Sequence, residues 1–123
     1  MAARPGNIAF DCADVLKLAA FWSAVLGRPL DAGSSEFFAS IGGADGERRE
    51  PAWYFNQVSE PKQAKNRVHL DLVDPEPAAV DRLMQLGATV IGTHQIRGHG
   101  WTVLQDPEGN EFCIAAKAFT GLD

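Results

Sequence analysis

Two stretches of the chain carry the same pattern of apolar and polar positions. Each begins with a short alternating run, continues with an amphipathic helical pattern and ends at a glycine; the first is Asn7–Gly27 and the second is Arg67–Gly87. Superposed without a gap, they are identical at Asp11/Asp71, Asp14/Asp74, Ala19/Ala79, Leu26/Leu86 and Gly27/Gly87. This agreement predicts a structural unit that occurs twice in the chain.

The alternating runs predict β-strands, because side chains of a strand point to opposite faces in turn. One face of each strand is apolar, formed by Ile8, Phe10 and Cys12 in the first and by Val68, Leu70 and Leu72 in the second. The other face of the second strand presents His69, Asp71 and Val73. The helices that follow are expected to be capped by Asp14 and Asp74, with Pro75 at the first helical position of the second, and to end at Gly27 and Gly87.

Three strand-like segments follow each helix. They lie at about Pro29–Asp31, Glu36–Ile41 and Ala52–Val58 in the first half, and at Thr89–His94, Trp101–Gln105 and Glu111–Ala115 in the second. A turn at Asp106–Asn110 separates the last two strands. The sequence therefore predicts an α+β fold of two tandem βαβββ modules, at about residues 7–58 and 67–116, within one domain covering residues 1–123.

Composition and charge narrow the classes of function. The net charge of −5 disfavours a nucleic-acid surface, which needs clustered Lys and Arg side chains. No apolar run approaches the roughly 20 residues that span a bilayer, and the N-terminus lacks the apolar segment of a signal peptide. Two cysteines, Cys12 and Cys113, do not form a disulfide framework. We therefore expect a cytoplasmic protein with no nucleic-acid or membrane partner.

The duplicated module resembles the vicinal oxygen chelate superfamily, which includes glyoxalase I, extradiol dioxygenases, fosfomycin-resistance enzymes and bleomycin-binding proteins. The segments that carry the likeness are FDCADVLKLAAFWSAVLG, NRVHLDL and GWTVLQDPEGNEFCIA. It extends from about Asn7 to Ala116 and looks closest to small glyoxalase-like domain proteins. The resemblance implies that each module curls into a half-barrel, that a cleft between the modules takes a small-molecule ligand, and that the protein forms a homodimer.

The resemblance also implies a metal site with an incomplete set of ligands. Metal-dependent members use the first and last strands of each module, and the matching residues of the second module are His69 and Glu111. The first module offers only Ala9 and Trp53 at those places. Zinc, iron, nickel or manganese would need a further donor, for which Asp71, Asp11 and His94 are candidates. Alternatively, His69 is hydrogen-bonded to Asp71 or Glu111 without a metal.

Other residues are candidates for catalysis or ligand contact. Asp71 and Asp11 could move a proton, or could instead accept backbone hydrogen bonds in both modules. Trp53, Phe55 and Trp101 could offer flat surface to a planar ligand, with His94 and Cys113 beside them, although the aromatic rings could equally be core and the thiol inert. His99 lies between two glycines, and this pattern is compatible with either a lid over the cleft or an ordinary hairpin loop.

Two classes of function follow. One is a metal-assisted isomerase, lyase or dioxygenase acting on vicinal oxygens of a small organic substrate. The other is a metal-free protein that binds a small molecule or drug without catalysis, as in bleomycin resistance.

Overall fold

The computed structural model describes residues 1–44 and 48–120. The chain divides into two compact units, residues 1–62 and 63–123. The first contains β1 (Asn7–Cys12), α1 (Val15–Leu26), β2 (Phe38–Ile41) and β3 (Ala52–Gln57). The second contains β4 (Leu70–Val73), α2 (Ala79–Leu86), β5 (Thr89–Ile96), β6 (His99–Gln105) and β7 (Glu111–Ala115). The fold is mixed α+β with two sheets.

The two sheets repeat one connection. In the first unit the strand order is β1-β3-β2, and in the second it is β4-β7-β6-β5. In both, the first and last strands of the unit pair in parallel, and the remaining pairs are antiparallel. The duplication predicted from sequence therefore extends to strand pairing.

The first helix begins and ends as the sequence predicts. The Asp14 carboxylate accepts a hydrogen bond from the Lys17 backbone N–H, and Gly27 ends the helix with a left-handed φ of 66°. Helix α1 packs on β2 and β3. Its fully buried Trp22 lies among the rings of Phe10 and Trp53, with centroids 5.5 and 5.3 Å away.

The second helix begins four residues later than its counterpart in the repeat, so the prediction of an Asp74 cap was wrong. The helix starts at Ala79 after Ala78, which makes no side-chain capping bond. Pro77 explains the shift, because a residue before proline is disfavoured in the helical region, and Glu76 is that residue. Asp74 instead accepts from the Glu76 backbone N–H and pairs with Arg82.

The prediction of a strand at Pro29–Asp31 was also wrong, because these described residues form no strand. This segment is irregular, and the Asp31 N–H donates to the Ser40 carbonyl at 2.8 Å beside β2. The Asp31 side chain is engaged as well, since its Oδ2 accepts from the Ser40 hydroxyl at 2.6 Å and from the Gly43 N–H at 2.8 Å. A polar side-chain network, rather than a ladder, holds this connection.

Asp31→Asn should make the acid sensitivity of folding smaller. Burial alone would raise the pKa of the Asp31 carboxyl, but hydrogen bonds from Ser40 and Gly43 outweigh it and hold the pKa below its usual value. A lowered pKa stabilises the fold above the unfolded-state value of about 3.9, and this contribution is lost as pH falls through the folded-state pKa. We expect Asp31→Asn to lower the free energy of unfolding by about 1 kcal/mol at pH 7.

Urea unfolding at several pH values checks this prediction. The difference between the wild type and Asp31→Asn should shrink below about pH 4. Glu36→Gln, an exposed carboxylate in the same connection, is the control and should behave like the wild type. A difference that is constant with pH would contradict the assigned cause.

Candidate functional site

One face of the second sheet forms the wall of a cavity of about 790 Å³. All of its lining residues belong to the second unit. Most of the strand residues that line it alternate along three strands: Asp71 and Val73 of β4, Glu111, Cys113 and Ala115 of β7, and Trp101, Val103 and Gln105 of β6. Leu72 and Ile114, which have the opposite parity, also contribute. Leu104 and Phe112, which pair with each other and carry the opposite parity, are almost fully buried.

Strand pairing places these side chains in rows across the face. Asp71 pairs with Cys113, and Cys113 pairs with Val103 on its other side. The next row contains Glu111 and Gln105, and continuing the β4 register by one residue brings His69 beside Glu111. The parallel pairing of β4 with β7 therefore joins residues that are more than forty positions apart in the chain.

Three potential donor groups meet at the polar end of the cavity. The Nδ1 atom of His69 lies 3.1 Å from Oδ1 of Asp71 and 4.0 Å from Sγ of Cys113. These ligand atoms lie within 4.8 Å of one another, and no other cluster of three or more such groups is found in the described residues. The Nδ1 atom of His69 thus lies within ion-pair distance of Asp71, one of the two partners that the metal-free alternative named.

The Cys113 thiol is poorly suited to act as a nucleophile. Burial raises its pKa above the ordinary value, and the nearby Asp71 carboxylate raises it further. Both Asp71 and Cys113 also approach the same imidazole nitrogen, whereas a nucleophilic triad uses one nitrogen for each partner. The cluster is therefore better suited to hold a ligand or an ion than to form a covalent intermediate.

Glu111 lines the same cavity but lies outside the three-donor group. Its Oε2 accepts a hydrogen bond from the backbone N–H of Asn66 at 3.0 Å. The sequence analysis paired His69 with Glu111 and named Asp71 as a possible further donor, and the three groups whose ligand atoms lie close together are those of His69, Asp71 and Cys113. A metal-binding role for Glu111 stays a prediction. Cys113 was missed as a donor, although its alternation with Glu111 on one strand was the signal for it.

The three donor side chains can be compared with the ligands that a divalent ion prefers. Zinc accepts imidazole, carboxylate and thiolate ligands, and three protein donors with an open fourth position are typical of catalytic zinc. The raised pKa of Cys113 means that an ion would have to displace the thiol proton. The residues therefore fit a three-donor site for a thiophilic ion, in which His69 is joined by Asp71, one of the further donors named from the sequence, and by Cys113.

The aromatic candidates separate into two groups. His94 and Trp101 line the cavity, and their ring centroids lie 5.4 Å apart. Trp53 and Phe55 belong to the first unit, where they are buried and stack on Phe10 with centroids 5.9 and 5.4 Å away. This position corresponds to the core alternative rather than to a ligand-contacting surface.

The structure also describes the positions of two further candidate residues, Asp11 and His99. Asp11 is exposed on β1 of the first unit, opposite Asn56, and a catalytic role for it stays a prediction. His99 is the first residue of β6 and follows a tight turn in which Arg97 and Gly98 have φ values of 52° and 79°. Successive positive φ values are typical of a two-residue hairpin, which explains the glycine and matches the ordinary-loop alternative.

Several lining residues were not predicted from the sequence. Val103 and Gln105 follow Trp101 at every second position, so strand alternation could have identified them. Lys65 and Phe119 lie outside regular secondary structure, and no local pattern marks them.

Among the described residues, no helix is long and apolar enough to cross a bilayer.

Comparison with known proteins agrees with this architecture. Residues 7–115 match the family described as "Glyoxalase-like domain", and the chain belongs to that family. Its fold is that of the vicinal oxygen chelate superfamily, which confirms the resemblance seen in the sequence. No curated protein matches the chain.

Solved structures share the fold at low sequence identity. A glyoxalase/bleomycin resistance protein/dioxygenase family enzyme from Burkholderia phytofirmans PsJN is 23% identical, with a TM-score of 0.68, 91% of this chain and 97% of that chain covered. A bleomycin-binding protein from Streptomyces verticillus, complexed with copper(II)-bleomycin, is 19% identical, with a TM-score of 0.61 and coverage of 96% and 100%.

A fosfomycin resistance protein from Listeria monocytogenes, complexed with Mn(II) and a dihydroxypropylphosphonic acid, is 13% identical, with a TM-score of 0.73 and coverage of 97% and 93%. At these identities the likeness establishes the fold.

Proposed function

We propose that the second unit binds a small organic ligand in the cavity beside His69 and Asp71. The observation that carries this proposal is the cavity of about 790 Å³, which lies within the range of roughly 300–1,000 Å³ common for small-molecule sites. Its lining combines an apolar wall with a few polar groups at one end, the combination that such sites use for affinity and orientation.

The polar end would orient the ligand. With the Nδ1 atom of His69 facing the Asp71 carboxylate, the other ring nitrogen can accept a hydrogen bond from a ligand hydroxyl or amide. Gln105 adds an amide that can both donate and accept, and Lys65 adds a positive charge. A ligand with clustered oxygen or nitrogen atoms at one end matches these groups.

The ligands of two structural neighbours support the proposal of small-molecule binding but do not identify the ligand of this chain. The Streptomyces verticillus neighbour binds copper(II)-bleomycin, and the Listeria monocytogenes neighbour binds Mn(II) with a phosphonic acid. The two neighbours therefore bind different ligands on one fold. The ligand of this chain has to be identified from its own cavity, because one fold can host many functions.

A fragment screen read by NMR tests the proposal. Ligands that bind should shift the backbone amide resonances of β4, β6 and β7 residues that line the cavity. His69→Ala should weaken binding of polar fragments about tenfold, the loss expected for roughly 1.4 kcal/mol of hydrogen bonding. Met84→Ala, an exposed apolar residue of α2 outside the lining, is the control and should leave affinity unchanged.

Fragments that bind only elsewhere, or equal affinity in the wild type and His69→Ala, would contradict the proposal. Asp71→Asn is a second variant, because it keeps the shape of the side chain and removes the charge that orients His69. We expect it to lose less affinity than His69→Ala.

A second candidate function is metal-assisted catalysis, favoured by the grouping of His69, Asp71 and Cys113. When bound there, a divalent ion would polarise ligand oxygens as a Lewis acid. The chain's own residues would hold the ion through imidazole, carboxylate and thiolate. Lyase, isomerase and dioxygenase activities are each compatible with that role.

Cobalt titration separates the two candidates without measuring activity. If the three-donor group holds an ion, Co²⁺ should give a thiolate-to-cobalt charge-transfer absorption in the wild type. Cys113→Ser should abolish the band and His69→Ala should weaken metal retention, whereas Glu111→Gln should leave both largely intact. Loss of metal in Glu111→Gln with retention in Cys113→Ser would instead favour the ligand pair inferred from the resemblance.

No retained metal in the wild type would favour a metal-free binding protein of the drug-sequestering kind.

Homodimer formation and a cytoplasmic location stay predictions. Size-exclusion chromatography with light scattering checks the first of these at micromolar concentration.

A further inference from the structure

A second cavity lies against the same sheet. It is an open groove of about 550 Å³ between the segment Asp74–Val80 and the strands β5, β6 and β7, and all of its lining residues belong to the second unit. Its floor contains a row of three paired residues, since Thr93 pairs with Thr102 and Thr102 pairs with Ile114. The row crosses two strand spacings, which corresponds to about 10 Å.

The floor of the groove and the wall of the first cavity are opposite faces of the sheet. Thr102 follows Leu104 in parity along β6, whereas Val103, which lies between them, lines the first cavity. Side chains of neighbouring strand residues point to opposite faces, so Thr102 and Val103 report on different cavities. Four residues line both cavities: His94, Trp101, Ile114 and Ala115.

The repeat explains why the groove is open. The positions of α1 that correspond to Pro75 and Ala78 are Val15 and Leu18, and both are almost fully buried in the first unit. In the second unit the helix begins only at Ala79, and Pro75 and Ala78 are exposed. The first module therefore has a buried helical turn where the second has an irregular segment, and that segment borders the groove.

The lining suits a small molecule with an aliphatic body. The volume lies within the range of roughly 300–1,000 Å³ common for ligand sites. Hydrogen bonds are available from the hydroxyls of Thr93 and Thr102 and from the amide of Gln95. Aliphatic surface comes from Pro75, Pro77, Ala79, Val80 and Ile114.

The charged residues of the groove indicate the sign of its ligand. Asp74 and Glu76 line it, and no Lys or Arg is found among the described residues that do so. Asp74 is paired with Arg82, whereas Glu76 is exposed and is accessible to a ligand. The first cavity differs, because Lys65 and Lys117 are part of its lining.

We propose that the groove is a second small-molecule site, which binds a primary amine or a similar organic cation with an aliphatic body. The body lies over the Thr93–Thr102–Ile114 row, and the cationic group lies next to Glu76. This inference does not depend on the proposed function, because the two cavities use opposite faces of the sheet and differ in charge.

Three probes with one ring skeleton test the inference: cyclohexylmethylamine, which is cationic at pH 7, cyclohexylmethanol, which is neutral, and cyclohexanecarboxylate, which is anionic. Methyl NMR separates the cavities, because Val80 and Thr102 line only the groove and Val103 lines only the first cavity. The amine should shift the Val80 and Thr102 methyl resonances and bind about threefold more tightly than the alcohol, the effect of an exposed ion pair. The carboxylate should bind most weakly.

Charge and shape variants assign the binding to the groove. Glu76→Gln should reduce the preference for the amine to less than twofold, and Asp81→Asn, which changes an exposed carboxylate of α2 outside the lining, should keep it. Thr93→Trp places a large side chain in the groove and should weaken amine binding at least tenfold. Thr89→Trp is its control on the same strand, outside the lining, and both threonines are exposed, so folding should be preserved.

Each outcome supports or overturns the inference. Equal affinity for the amine and the alcohol, the same loss in Asp81→Asn as in Glu76→Gln, or unchanged binding in Thr93→Trp would overturn it. Shifts at Val103 without shifts at Val80 and Thr102 would place the amine in the first cavity, which overturns the inference and supports the proposed function. Shifts at Val80 and Thr102 alone support the inference, and the proposed function then depends on its own fragment screen.

Discussion

Asp106→Ala is expected to lower the free energy of unfolding by about 3 kcal/mol, because the mutation removes a buried charged acceptor. The carboxylate accepts from the backbone N–H groups of Glu108 and Asn110 at 2.9 Å and from the Asn110 side-chain amide. Only 4% of Asp106 is exposed. Without it, these donors of a part-buried turn lose their acceptor.

The same turn sets the register of the candidate site. It connects β6 to β7, so it determines that Val103 lies opposite Cys113 and Gln105 opposite Glu111. We therefore expect Asp106→Ala to weaken ligand binding as well as stability. Asp106→Asn keeps an acceptor oxygen and should lose roughly 1 kcal/mol. Urea unfolding followed by circular dichroism checks both values, and an Asp106→Ala protein within 0.5 kcal/mol of the wild type would contradict the role given to the carboxylate.

Trp22→Ala is expected to have a still larger effect on the first unit, about 4 kcal/mol, because it opens a cavity in a closely packed aromatic cluster. The Trp22 side chain is fully buried, and its ring centroid lies 5.3 Å from those of Phe21 and Trp53. Close packing of the surrounding rings limits how far they can relax into the space that the indole leaves.

Leu16→Ala is the control for this second prediction. Leu16 lies on the same helix but is 44% exposed, so its truncation should cost well under 1 kcal/mol. Thermal and urea unfolding of the two variants provide the comparison. Similar losses in both would mean that Trp22 does not organise the core of its unit.

Local patterns predicted most secondary-structure elements. The alternation of Glu111, Cys113 and Ala115 predicted β7 with the bounds that the structure has, and the glycines at positions 27 and 87 both end helices. The errors also have local causes. Pro77 delays α2, and Pro29–Asp31 is held by the Asp31 side chain instead of by a strand ladder.

The candidate site was predictable in part. His69, Asp71, His94, Trp101, Glu111 and Cys113 all line one cavity, in the half of the chain where the resemblance placed the surviving donors. The grouping of Cys113 with His69 and Asp71 was not predicted, because it depends on which strand β4 pairs with. Trp53 and Phe55 could not be assigned from sequence, since a buried ring and a ligand-contacting ring have the same strand pattern.

The sequence by itself determined the repeated order of strands and helices, because strand alternation and helical periodicity are properties of residues that are close together in the chain. It also determined which polar side chains share a strand face, as His69 does with Asp71 and Glu111 with Cys113. Only the tertiary structure decided that these two faces are adjacent, because parallel pairing of β4 with β7 joins residues more than forty positions apart. It likewise decided that Phe119 lies against His99 and Trp101, a contact for which the chain carries no periodic signal.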